Sequence, residues 1–319
     1  MLLVSSITPS GAAWARESAC TSLPGATVID ARGSIDALDD EHARMFGVVA
    51  SGVVSPDLVS SLSSYRSAAS VAWVIEQGIV RSEPLIGWVD GSVAAAVTDL
   101  RTLVSMIELA GSAALDGTVV QRMRAAVAAL DAGDIEWLVA CPPEESAVRA
   151  AVTEVAVATA SGIRVRGIAV CPMPSKGDGW PKSVRRAARG QGEVLAQAVH
   201  PIPVDRARRG RAPSFPNAGV DVCAPTITET GDREWIWSIT VPGLTACRIA
   251  VGTWTSDVAY PTTHVVLDID GLTVRHRVDA TLRRCVGREA VVSGDSIAVA
   301  FTAHDQQWPA IREEGAGHD

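Results

Sequence analysis

Lysine is almost missing from this chain, because only two of its 28 basic residues, Lys176 and Lys182, are lysines. Long apolar runs are missing too, since none reaches the roughly 18 residues that a membrane-spanning helix needs. The apolar residues 1–4 have no positive flank and are too few for a signal peptide. These absences predict a soluble, cytoplasmic protein with no membrane span.

Motifs for metal binding and for nucleophilic catalysis are also missing. The six cysteines are scattered, without a CxxC pair or a histidine at metal spacing, so no zinc site is predicted. The six histidines are dispersed and no GxSxG elbow occurs, so no nucleophile–His–acid arrangement or other catalytic residue is assigned. What the chain does have is size: 319 residues, 47% of them apolar, are enough for two cores.

The first half of the chain alternates between apolar runs of strand length and runs of helix length. Strands are predicted at residues 1–7 and 26–31, and again at 136–141 and 165–171. Between the last two, residues 144–161 have one apolar face at helical spacing. Such a strand–helix–strand unit with short links crosses over right-handed and makes its strands parallel. The pattern therefore predicts an α/β fold with a mainly parallel sheet flanked by helices.

Four further stretches complete the expected organisation of this part. Residues 35–82 look mostly helical, and residues 91–130 predict two Ala/Val/Leu-rich helices with a break at 111–117. We interpret the apolar stripes of these two helices as core or dimer contacts, with a groove for an apolar client segment as the alternative. Residues 182–199 predict a basic helix.

After residue 235 the period of the apolar residues changes to two, in short runs separated by Gly, Pro and Asp. This pattern predicts a small all-β sandwich of six to eight strands. We assign the α/β domain to residues 1–205, a Pro/Arg-rich linker to 206–219, the sandwich to 220–312 and a disordered tail to 313–319.

Positive charge is concentrated in one stretch of an otherwise acidic chain. The net charge is −8, yet residues 182–211 contain eight bases and two acids. We interpret this stretch as a solvated helix and linker, with an acidic partner, nucleic acid or anionic lipid as alternatives. Nucleic acid is disfavoured, because no aromatic residues alternate with the bases.

Two groups of acids lie where strands are expected to end. Glu144 and Glu145 follow a Pro-Pro pair, and we interpret them as acids that favour the N-terminal dipole of a helix, with acid–base catalysis as the alternative. Asp30 ends the second predicted strand, and we interpret it as a turn cap, with a ligand group at the sheet edge as the alternative.

Several segments resemble those of one known family in the same order. They are LVACPPEESAVRAAV at 138–152, GIRVRGIAVCPMP at 162–174, ITVPG at 239–243 and LRRC at 282–285. Together they resemble the ArsA family of anion-pump and tail-anchored-protein-targeting ATPases, some of which carry a small-heat-shock-protein-like domain at the C-terminus. The resemblance spans about residues 134–309 and implies a P-loop-NTPase-like sheet followed by such a domain.

The chain departs from this family at the phosphate loop. Members place a GKGGxGKT loop after the first strand, where backbone N–H groups and lysines bind phosphate and a hydroxyl binds Mg²⁺. Here the vestigial loop contains Thr8, Pro9, Ser10 and Gly11, with a single glycine, a proline that removes a donor, and no lysine. The resemblance therefore implies a phosphate loop that has lost its function.

Two other nucleotide contacts of the family are also changed. Cys171 stands at the adenine-side position where members have an asparagine, and a thiol is a poor partner for a base edge. Asp90 is the best match to the family's carboxylate signature, but its surroundings differ from that signature. We therefore predict no cofactor, with ATP and Mg²⁺ as the disfavoured alternative.

The resemblance without these motifs implies a pseudo-ATPase that acts as a nucleotide-independent protein-binding or assembly partner. Its own partner is expected to be an identical chain, in a homodimer, or an active ArsA-family relative, in a heterodimer. One alternative is an ATPase whose atypical loop is completed by a partner. The other is a client-holding chaperone that uses the strand edges of the sandwich.

Overall fold

The computed structural model of the protein describes most of both predicted parts. It covers residues 1–7, 23, 25–31, 62–81, 84–89, 91–110, 117–173, 182–189, 195, 197–203, 220, 223–242, 244, 247–254, 262–269, 272–278, 282 and 285–303. The predicted linker at 206–219 and tail at 313–319 lie outside the described residues.

A six-stranded parallel sheet forms the centre of the first part. Its strands run in the order β2-β3-β1-β4-β5-β6, and each pairs in parallel with its neighbours. Their bounds are β1 Leu2–Ser6, β2 Thr27–Asp30, β3 Leu85–Val89, β4 Glu136–Cys141, β5 Arg164–Met173 and β6 Val199–Pro203. The strand that precedes the expected phosphate loop, β1, lies in the middle of the sheet. The α/β, P-loop-like fold is thereby confirmed.

The central strands are apolar on both faces, which is why they occupy the middle of a parallel sheet. Leu3 and Trp137 belong to the core on the face covered by the described helices. Their neighbours in the same strands, Leu2 in β1 and Leu138 in β4, belong to a separate core on the opposite face.

Five described helices accompany the sheet. They are α1 Leu62–Arg81, α2 Val93–Ala110, α3 Gly117–Asp131, α4 Glu145–Ala160 and α5 Lys182–Arg189. Contacts join α1 to α2 and α3, and α4 to β4, β5 and α5. The two predicted helices within 91–130 are confirmed as α2 and α3, and residues 111–116 of their expected break lie outside the described residues. Helix 144–161 and its buried face are also confirmed. No helix in the described ranges is long and apolar enough to cross a bilayer.

The sheet contains two strands that the sequence pattern did not predict, β3 and β6. In β3, Gly87 permits very close packing, because a Cβ atom there would lie 2.0 Å from Cγ1 of Val74 in α1. Within the expected helix at 182–199, α5 and also Leu195 and Gln197 are helical, whereas β6 begins at Val199. Pro201 and Pro203 fit this strand because β6 is the last in the sheet, where a missing N–H donor is tolerated.

The C-terminal part forms the predicted antiparallel sandwich. One sheet has the order β11-β10-β9 and the other β12-β13-β8-β7. The strands are β7 Thr226–Gly231, β8 Glu234–Thr240, β9 Arg248–Trp254, β10 Thr262–Ile269, β11 Leu272–Arg277, β12 Cys285–Ser293 and β13 Ser296–Ala303. The pattern of alternation missed β7 and β12, because both are largely exposed edge strands and need no buried stripe.

The sandwich packs on the helical layer through β11, which contacts α2 and α4. Arg101 of α2 donates hydrogen bonds to the carbonyl of Ser161, just after α4, and to Asp131 at 2.6 Å. Beside it, His276 of β11 forms a hydrogen bond with the backbone of Ala160, and the centroid of its ring lies 5.5 Å from the ring centroid of Trp237. The C-terminal end of α4 is therefore one place where the two parts meet; Val220 also donates a backbone hydrogen bond to the carbonyl of Val165 in β5 at 2.9 Å.

Candidate functional site

A cavity of about 380 Å³ opens at the carboxyl ends of the central strands. From β1 the chain passes to β2, on one side of it in the sheet, and from β3 it passes to β4, on the other side. Ligands of open α/β sheets bind at such a reversal of strand order. Mostly small, hydroxyl or apolar residues line the described part of its wall: Ser5, Ser6, Ile7, Gly91, Ser92, Trp137, Val139, Ala150, Thr153 and Glu154.

Ser92 stands at the start of α2 and caps it. Its Oγ accepts a hydrogen bond from the backbone N–H of Ala95 at 3.1 Å, which satisfies one of the free donors of the first turn. The same hydroxyl donates to Oε2 of Glu154 at 2.6 Å. The cap therefore also joins α2 to α4 across the cavity.

Glu154 is the only acidic residue among the described residues that line the cavity. Its side chain projects from the middle of α4, and partial burial raises the pKa of this carboxyl, while the hydrogen bond from Ser92 lowers it by less. The N-terminus of α2 carries partial positive charge, which offsets part of the cost of burying this carboxylate. Among the described lining residues there is no lysine or arginine.

Trp137 and Ser5 form the floor of the cavity. The indole Nε1 of Trp137 in β4 donates a hydrogen bond to Oγ of Ser5 in β1 at 2.9 Å, and both side chains are buried. Because burial of an unpaired indole N–H is costly, this bond holds the ring in one orientation.

The nucleotide-contact residues taken from the family resemblance are only partly placed. Thr8, Pro9, Ser10 and Gly11 lie outside the described residues, as does Asp90. Ile7, directly before the expected loop, lines the cavity and donates its backbone N–H to the carbonyl of Ala140 at 2.9 Å.

Cys171 is not part of this cavity. It lies in β5 and is fully buried in the core on the opposite face of the sheet, together with Ala169 and Ile202. Burial raises the pKa of the Cys171 thiol far above its ordinary value, with a smaller contribution from Cys141. The side chain is therefore an uncharged core group.

The acids noted in the sequence also lie away from the cavity. Glu145 is in the first turn of α4, where it forms an ion pair with Arg149 at 2.7 Å, as expected for an acid that stabilises a helix start. Glu144 is the N-cap residue but makes no capping hydrogen bond through its side chain. Asp30 is exposed at the end of β2, the edge strand.

A second concavity, of about 630 Å³, is lined by basic residues of α5. We call the side chains of Lys182, Arg185, Arg186 and Arg189 the basic face of α5. The arginines of the adjacent linker lie outside the described residues. In the ranges that the structure describes, no group of three potential metal ligands occurs.

Glu154 and Ser92, which organise the cavity, were not identified from the sequence. A serine between Gly91 and an apolar helical run is a usable N-cap signal for Ser92. Glu154 carries no such signal, because a single acid within a helix is ordinarily solvated.

Comparison with known proteins adds no family assignment: no family model matches the chain, and no curated protein is significantly similar to it.

Proposed function

We propose that this chain is a pseudo-ATPase related to the ArsA family, which uses a P-loop-like sheet as a scaffold for nucleotide-independent protein binding in the cytoplasm. The observation that carries the proposal is the carboxylate of Glu154, bound to Ser92 at the start of α2. This carboxylate stands at the edge of the sheet where a phosphate-binding relative holds anions.

Two physical reasons connect this contact with loss of nucleotide binding. A phosphate in the cavity meets the negative charge of Glu154 and no described lysine or arginine on the wall. The hydroxyl of Ser92 already donates its hydrogen to Glu154, so it has no donor left for a phosphate oxygen. The partner that we propose, an identical chain or an active ArsA-family relative, follows from the resemblance.

Nucleotide binding is tested by calorimetric titration with Mg-ATP and by an assay of phosphate release. Both are done on the R185Q/R189Q variant as well as the wild type, so that ATP phosphates bound to the basic face of α5 do not contribute. We expect neither hydrolysis nor binding that persists in this variant. Micromolar binding that persists would refute the proposal, and hydrolysis only after addition of an active relative would favour an ATPase completed by a partner.

A second candidate function, client holding by the sandwich, is favoured by its exposed strands. All six residues of β7 are exposed at one edge, and Val291 and Val292 of β12 are 49% and 44% exposed at the other. Free edges and exposed apolar residues are where an extended client segment pairs.

The chaperone function is tested by suppression of the heat-induced aggregation of a model client. The V291T/V292T variant should lose suppression, whereas I79T/V80T, which changes an apolar pair in α1 that is at least as exposed, should retain it. Equal suppression by both variants contradicts a role for β12.

A further inference from the structure

The basic face of α5 is a fixed feature of the surface. Half of the eight residues of α5 are basic, and at 3.6 residues per turn they fall within an arc of about 100°. On the other side of the helix Val184, Ala187 and Ala188 are buried, and α5 packs on α4. Since this packing sets the rotation of the helix, the four charged side chains are held together outside it.

Part of this arrangement is unfavourable for the helix itself, although Arg186 and Arg189 lie in the last turn, where positive charge is favoured. Lys182 and Arg186, and likewise Arg185 and Arg189, are four residues apart, a spacing at which like charges repel. The first turn contains no acid to balance Lys182. Within the described part of the chain, none of the four forms an ion pair. An external anion would supply this counter-charge.

We propose that the basic face of α5 is a binding site for a compact polyanion that carries several phosphate groups. Three of its four bases are arginines, whose planar guanidinium groups bind phosphate oxygens in pairs. The face extends about 10 Å along the helix, at 1.5 Å per residue, which matches a short run of phosphates.

The shape and the charge around the site favour a small ligand over a duplex or a membrane. The four side chains line one concavity of about 630 Å³, which a small molecule enters and a flat bilayer does not. The whole chain has a net charge of −8, so an extended polyanion is repelled beyond the site.

The probe is inorganic tripolyphosphate, titrated calorimetrically into the full chain. We expect one site per chain, with affinity that falls as salt rises because the contacts are ionic. The R185Q/R189Q variant should bind at least about tenfold more weakly, since hydrogen bonds to charged groups are lost. Its melting temperature should be unchanged or higher, because repulsion between like charges is removed, and this excludes unfolding as the cause.

The matched control is R81Q/R248Q, which removes two exposed arginines elsewhere and the same total charge. It should bind tripolyphosphate like the wild type; an equal loss in both variants, or no binding by the wild type, overturns the proposal. Tighter binding of a 20-base-pair duplex or of phosphatidylserine vesicles than of tripolyphosphate also overturns it. Binding of Mg-ATP at this face is lost in R185Q/R189Q, whereas binding in the cavity beside Glu154 is retained in that variant. This proposal and the proposed function therefore fail independently.

Discussion

His276 makes the junction between the sandwich and the helical layer sensitive to acid. Its ring is enclosed by Trp237, Arg101 and the end of α4, and its Nε2 atom is buried without a hydrogen-bond partner among the described residues. Burial, and secondarily the positive charge of Arg101, lowers the pKa of His276 from 6.5 to about 4, although its hydrogen bond to Ala160 acts in the opposite direction.

The sign and size of the effect follow from this difference in pKa. Below pH 6.5 the unfolded chain binds a proton at His276 that the folded chain does not accept until about pH 4. The free energy of unfolding therefore decreases as the pH falls from 6.5 to about 4 and this contribution levels off below that. The difference between a pKa of 6.5 and one of about 4 corresponds to roughly 3 kcal/mol of stability at neutral pH.

The assay is urea unfolding of wild type and His276→Gln at several pH values between 7.5 and 4.5. Glutamine keeps a hydrogen-bond donor but does not titrate, and carboxylates elsewhere affect both proteins equally. We expect the stability of the variant relative to the wild type to rise steadily as the pH falls below 6.5. If the two stabilities change in parallel over this range, the reasoning about His276 is wrong.

Three further predictions concern the sheet and the cavity. Gly87→Ala should lower the free energy of unfolding by about 1–3 kcal/mol or more, measured by urea unfolding, because its Cβ collides with Val74; an unchanged midpoint contradicts this. A double-mutant cycle of Trp137→Phe and Ser5→Ala should give a coupling of about 1 kcal/mol from their buried hydrogen bond, and additive effects would exclude it. Glu154→Gln should be more stable than wild type at pH 7.5, because the pKa of this carboxyl is raised and its charged form is the unfavourable one. The difference in the free energy of unfolding between the two proteins should decrease toward pH 4.5, and a difference that does not change with pH refutes the prediction.

Local patterns predicted the elements that form apolar runs bounded by turn residues, or that carry one apolar face at helical spacing. The strand β4, the helix α4 and the strand β5 agree with the predicted unit to within about two residues at most ends. Prediction failed for β3 and β6, and in the sandwich for β7 and β12. In β7 and β12 no buried stripe exists to create a period, and in β6 the two prolines are not typical of a strand.

The cavity was predictable only in its position. The expected site after β1 is where the cavity opens, since the ends of parallel strands collect at one edge of a sheet. Its chemistry was not, because Ser92 and Glu154 are 62 residues apart and their hydrogen bond depends on how α2 and α4 pack.

By itself, the sequence determined the scarcity of lysine, the acidic net charge, the division into an α/β part and a β part, and the basic composition of α5. These depend on composition and on periods of two or 3.6 residues, which are local properties. Only the tertiary structure decided that β1 lies between β3 and β4, that Glu154 reaches the start of α2, and that His276 is buried between the two parts. Each of these joins residues far apart in the chain, where burial and packing, not local pattern, select the contact.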